Sequence, residues 1–271
     1  MPLTLSSNGP SANELERLRL ALSVFQDGSG WESIKKTKKQ GVDRIYYAGY
    51  RQFERTVADV FGGIAPENKG IFDVFVPLAG TDMHFGVSCK MRKELNNALK
   101  DEGRVYIEMS NAAGEFMDNV KQEVGRGFQK YPDKVGQTLL SLITGWHSNV
   151  GKNSGYKINL AESSFLVLLY NKQLTFRLYQ YELLLPKATN FTWRFPPAKN
   201  KKESRRLVGY SKDRVTFEWY LYSGGQLKYY PLAQNARWHS ESFTLEPLPE
   251  NMNLVSRAQE YFPDKWESLN H

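Results

Sequence analysis

The chain has 271 residues, 41% hydrophobic and 24% charged, a balance ordinary for a globular fold and unlike that of a disordered chain. Its formal net charge is +7, and its single cysteine, Cys89, excludes an internal disulfide and a zinc site built on several thiolates. No stretch approaches the roughly 18 apolar residues of a membrane span, and the polar opening residues lack the basic and apolar regions of a signal peptide, so a cytoplasmic protein with no membrane partner is expected.

In chain order, residues 12–25 place Leu18, Leu20, Ala21, Leu22 and Phe25 at helical spacing, with Ser11 or Asn13 as the N-cap. The run KKTKK at 35–39 reads as a solvated surface. Residues 46–61 carry a helical stripe of Tyr50, Phe53, Val57, Val60 and Phe61, stopped by Gly62 and Gly63. Glu54 falls on the edge of that stripe and is placed to point inward. Residues 71–78 and 84–90 read as two apolar strands joined by a Gly-Thr-Asp turn. A helix over 92–101 follows, then a buried strand over 104–110 carrying Glu108. Helices over 112–131 and 132–145 come next. A strand, a helical crossover and a further strand in one sheet imply a right-handed parallel step.

Past Gly145 a polar, Gly-rich stretch leads into strand-like alternation at 164–171, 174–185, 207–210, 214–223 and 226–230. A last helix is expected over 253–262. The expected fold is therefore α/β (α+β), a mixed β-sheet flanked by helices with a β-rich C-terminal part. Its expected divisions are an N-terminal helical arm over 1–45, a core over 46–145, and a β-rich part over 146–271 integrated with that core.

The chemistry is concentrated between residues 71 and 90. Asp73 sits among Ile, Phe and Val, where a charge costs several kcal/mol unless it is paired. A metal ion or Lys90, at the end of the second strand, is the implied partner. A hairpin can bring the two to one end of a sheet; the alternative is an ion pair that only sets strand register. The net charge is just as local. Residues 187–214 hold nine Lys or Arg and two Asp or Glu, so this window accounts for the whole excess. Lys199, Lys201, Lys202, Arg205 and Arg206 cluster there beside Pro196 and Pro197. Arg194 lies between Trp193 and Phe195. Such a stretch suits the phosphates of a nucleic acid, with flexible lysines positioning a duplex rather than reading its bases.

Taken together, Glu54 on a helix, Asp73 on a strand, and Ser88-Cys89-Lys90 on the next strand resemble the PD-(D/E)XK nuclease superfamily, and more narrowly a type II restriction endonuclease. The resemblance covers roughly residues 45–145. It implies a Mg²⁺-dependent endonuclease that cuts double-stranded DNA at a specific sequence, leaves 5′-phosphate ends, and acts as a homodimer. Asp73, the Cys89 carbonyl and a Glu would hold Mg²⁺, and Lys90 would sit beside the attacking water. Phe72 stands where the family often has Pro, and Ser88 where a second acid is expected. Serine is no substitute for a carboxylate as a strong Mg²⁺ ligand. Glu54 and Glu108 are the candidates to replace it, while Glu94, one turn after Lys90, reads as solvated. His147 and His239 are the alternative general bases. Two rival functions share these residues: a repair or recombination nuclease on the same core, and a non-catalytic DNA-binding protein with a degenerate nuclease core.

Overall fold

The apolar run Phe165–Tyr170 has no polar face, and a strand of that kind is stable only with both faces covered. A computed structural model, which describes residues 9–37, 41–66, 70–110, 113–197, 204–221, 225–249 and 254–268, places this run at the centre of a seven-stranded mixed sheet. In chain order the elements begin with α1 (Ala12–Ser23), β1 (Trp31–Thr37), β2 (Gly41–Tyr47), α2 (Tyr50–Val60), β3 (Val74–Pro77) and β4 (Met83–Arg92). The single turn α3 (Leu95–Ala98), β5 (Ile107–Ser110), α4 (Ala113–Val124), α5 (Pro132–Ser154) and β6 (Lys157–Ile158) follow. Next come β7 (Ser164–Tyr170), β8 (Thr175–Glu182), β9 (Thr192–Arg194), β10 (Arg206–Ser211), β11 (Arg214–Tyr220) and β12 (Leu227–Tyr229). The last are β13 (Trp238–His239), β14 (Phe243–Thr244), α6 (Leu254–Tyr261) and α7 (Pro263–Glu267).

The first sheet runs β13-β8-β7-β4-β3, with β14 on β8 and β6 on β4. Strands β3 and β4 are antiparallel, β4 and β7 parallel, and β7 and β8 antiparallel. One face buries Val74, Val76, Phe85, Val87, Leu166 and Leu168 against Leu18 and Leu22 of α1 and Phe53 and Val57 of α2. The other face buries Phe75, Phe165, Val167 and Leu169 against Phe72, Leu95, Ile107 and Val150. The two sets alternate along each strand, as the two-residue period of a pleated strand requires. A second sheet, β5-β12-β11-β10-β9, is antiparallel throughout. It packs Trp193, Leu207, Phe217, Trp219 and Leu227 against Phe116 and Val120 of α4 and Val135, Leu139 and Ile143 of α5. Among the described residues no helix is long and apolar enough to cross a membrane.

The architecture is the expected mixed α+β fold with a strand-rich C-terminal part, but several elements differ from the sequence reading. The Glu108 strand does not join the sheet of Asp73 and Lys90; it pairs with β12 in the second sheet. The connection from β4 to β5, residues 93–106, is long enough for a parallel crossover, but it holds only the single turn α3, and β5 takes β12 as its antiparallel partner. The parallel neighbour of β4 is instead β7, reached through α4 and α5. Helix α5 does not stop near Gly145 but continues to Ser154, because Trp146 and Val150 extend its apolar face. That burial outweighs the cost of about 1 kcal/mol for glycine inside a helix. The region before residue 46 is not helical throughout: β1 and β2 form a hairpin that takes in part of the 35–39 run. Lys38 and Lys39 lie outside the described residues.

Candidate active site

The site begins where two strands separate. Val74 faces Val87 in the β3–β4 ladder, and the Asp73 N–H donates to the Val87 carbonyl at 3.0 Å. Two residues further along β4, the backbone of Cys89 faces the same way. Side chains complete the ladder there. The Cys89 N–H donates to Asp73 Oδ2 at 2.8 Å, and Lys90 Nζ donates to the Cys89 carbonyl at 3.1 Å. Lys90 also donates to Asp73 Oδ2 at 3.2 Å and to Ser88 Oγ at 2.8 Å, while the Ser88 hydroxyl lies 3.4 Å from the same carboxylate oxygen. Asp73 and Lys90 keep 14% and 21% of their side-chain surface exposed, so the pair is partly screened yet open to a ligand. The sequence placed Asp73 inside a strand; it lies just before β3, at the mouth of the split.

This knot of polar groups lines a cleft of about 880 Å³ that also takes in Glu54, Glu94, Glu108 and His147. Helix α2 supplies Glu54, and its negative charge reaches the Cys89 thiol. That thiol is buried, and burial first, then the Asp73 charge, pushes its pKa well up. Cys89 therefore contributes backbone, not a reactive thiolate. Glu108 is paired with Arg92 on the facing strand end. Glu94 is half-buried, and its Oε2 is buried without a hydrogen-bond partner, so the expectation of a solvated Glu94 is corrected. The cause is the tightness of α3: a single turn leaves Glu94 at its N-terminus, folded against the cleft. His147 lies between the rings of Phe72 and Phe165, at centroid distances of 6.4 and 6.1 Å, and burial lowers its pKa to about 4. His239 is outside this cleft, with its ring nitrogen 2.7 Å from Arg177.

The structure thus brings Asp73, Ser88, Cys89 and Lys90 into direct contact and sets Glu54 and Glu108 on the same cleft. It does not gather the carboxylates into one cage: no three His, Cys, Asp or Glu among the described residues are placed to share a metal ion. The donors next to one another are nevertheless hard oxygens. A carboxylate, a hydroxyl and a carbonyl already surround one cationic atom, Lys90 Nζ, and such oxygens suit Mg²⁺.

Of the expected DNA-contacting residues, Lys199, Lys201 and Lys202 lie outside the described residues. Arg194 ends β9 with its guanidinium 5.7 Å from the Tyr210 ring centroid. Arg205 leads into β10, and Arg206 is bound to Glu218 at 2.6 Å. Sequence reasoning missed Arg92, which lies two residues beyond Lys90 on one strand and also lines the cleft. The two-residue period was the signal that could have found it. Comparison of the chain with protein-family models, with curated proteins and with solved structures gives no match to any of them.

Proposed function

We propose that this protein is a Mg²⁺-dependent endonuclease that hydrolyses phosphodiester bonds of double-stranded DNA at a specific sequence, in the manner of a type II restriction enzyme. The observation that carries this reading is the convergence of Asp73, the Cys89 backbone and Lys90 at the point where β3 and β4 part, on the floor of an open cleft. A lone structural ion pair has no need of such a cleft. The reading also agrees with the order of helix, antiparallel strand pair, helices and returning parallel strand formed by α2, β3, β4, α4, α5 and β7.

Asp73 and the Cys89 carbonyl would hold the Mg²⁺, with Glu54 or Glu94 on the cleft wall as the further acid. When bound, the ion supplies Lewis-acid activation of water and neutralises charge at phosphorus. Lys90 places its ammonium against the same oxygens, so it orients the attacking water and stabilises negative charge that builds on the phosphate in the transition state. The Ser88 hydroxyl accepts from Lys90 at 2.8 Å and holds the ammonium in that position. Water would add at phosphorus as the P–O3′ bond breaks, so the phosphate would stay on the 5′ end and the 3′ oxygen would leave as a hydroxyl, with a homodimer cutting both strands of a symmetric site. A reducing cytoplasm, where the DNA substrate lies, suits a chain with one cysteine.

Incubation with supercoiled plasmid and Mg²⁺ tests this directly. Discrete linear fragments are expected. Random nicking would point to a repair-type nuclease, and binding without cleavage to a degenerate core in which Ser88 has replaced the essential acid.

A further inference from the structure

We infer that the face of the second sheet turned away from α4 and α5 is the duplex-DNA track of this protein, and that its contacts are made by lysine and arginine held on tyrosine rings. The inference rests on the proposed nuclease reading for its ligand, and on the following geometry for its location. Residues Glu108, Lys228, Glu218, Val208 and Arg194 form one row across all five strands, because each faces the next in the strand register. The alternating residues Phe217, Trp219 and Leu227 fill the core on the other face.

Lys228 stands in register between two carboxylates, yet its ammonium joins neither. It lies 5.0 Å from the Tyr106 ring centroid and 4.5 Å from that of Tyr220. The acids are occupied by other partners. Glu108 is paired with Arg92, whose guanidinium covers Tyr106 at 4.1 Å. Glu218 accepts from Arg206 at 2.6 Å, Tyr230 at 2.7 Å and Tyr220 at 3.2 Å. With both carboxylates already paired to arginine, Lys228 and Arg194 are cations braced by rings and without a carboxylate partner among the described residues. A ring holds a cation by its quadrupole and leaves its N–H donors available, which is the arrangement a phosphate needs.

Continuity supports the same occupant. At one edge of the sheet, β5 delivers Glu108 to the catalytic cleft. At the other edge, β9 carries Arg194, exposed and against the Tyr210 ring. Four strand spacings separate the two edges, about 19 Å. The row therefore runs from the proposed site of cutting, at Glu108, to the ring-braced Arg194, and a polyanion laid along it meets both.

Lys228→Gln and Arg194→Gln test the assignment, with Lys157→Gln as a control on the exposed Lys157–Asp82 pair. Binding of a labelled duplex is followed by anisotropy against salt without Mg²⁺, and cleavage of plasmid is measured with it. Each Gln variant is expected to weaken binding and to lower the slope of log K against log salt by about 0.9. Lys228→Arg should restore it and Lys157→Gln should match wild type. If wild type cuts DNA but the variants bind with unchanged slope, the track is wrong and the nuclease reading stands. If wild type binds without cutting and the slope still falls in the variants, the track stands and the nuclease reading falls. Failure of wild type to bind a duplex at all, or binding of single strands only, overturns the track.

Discussion

In the proposed mechanism Asp73 and Lys90 do different work from one another, although they share a bond. Asp73→Asn keeps an oxygen for the Cys89 N–H while removing the charge, so the fold should persist and cleavage should fall by at least ~10²-fold, with duplex binding retained. Lys90→Ala should do the same to the rate. Near wild-type cutting by both would place the chemistry elsewhere. Glu94 offers a sharper case. A buried carboxylate oxygen without a partner costs on the order of 1–3 kcal/mol, and such a cost is tolerated most readily where a ligand removes it. Glu94→Gln is therefore expected to lower cleavage at least tenfold, by roughly the measure of one lost charged contact, without lowering the melting temperature. Unchanged cleavage would return Glu94 to a structural role. His147 gives a pH signature. Its folded pKa is about 4 against an ordinary 6.5, so between those values the unfolded chain takes up a proton that the native state refuses. Stability contributed by the neutral ring is complete above about pH 6.5 and is lost as pH falls toward 4, by up to ~3 kcal/mol. Denaturant midpoints at both ends of that range should show His147→Gln losing less than wild type; equal losses would mean the ring is not protected.

Among the elements, the β3–β4 hairpin decides the geometry, and its tightest point is Gly86. A Cβ there would come within 2.2 Å of the Phe72 ring. Phe72 is fully buried and precedes Asp73 directly. Gly86→Ala must push that ring, and overpacking of this kind costs about 1–3 kcal/mol. The expected result is a lower melting temperature together with a loss of cleavage larger than the loss of binding, because the displaced ring carries Asp73 with it. A variant with full stability and full activity would show that Phe72 moves freely. The termini of the helices are set by conventional means. Ser11 and Glu14 form a reciprocal cap on α1, at 3.3 and 2.6 Å, and Pro132 opens α5 where a missing N–H costs nothing.

At the scale of the whole molecule, the two sheets are built from interleaved stretches of chain. Strand β5 comes from the first half and joins the second sheet; β7 and β8 come from the second half and complete the first. Neither sheet can form from a contiguous piece, so the protein should unfold in a single transition. Far-UV circular dichroism reports both sheets; among the tryptophans Trp193 and Trp219 are buried in the second and Trp238 packs on the first, so fluorescence is followed in a Trp238→Phe background. Coincident denaturant curves from circular dichroism and tryptophan fluorescence are expected; two separated midpoints would show that the sheets are independent units.

The sequence by itself determined the elements whose pattern is strong and local. The stripe of α2, the apolar run of β7, the hairpin around Gly80, and the pairing of Asp73 with Lys90 were all legible, because period and turn chemistry act over a few residues. Tertiary structure alone decided which sheet Glu108 enters, since that depends on a partner strand, β12, more than a hundred residues away. It decided that Glu94 folds into the cleft rather than into solvent. It also decided that Lys228, in register between Glu108 and Glu218, rests on Tyr106 and Tyr220 instead, because Arg92 and Arg206 reach those carboxylates first. Competition among charges for partners is settled only by three-dimensional distance, which spacing along the chain does not encode.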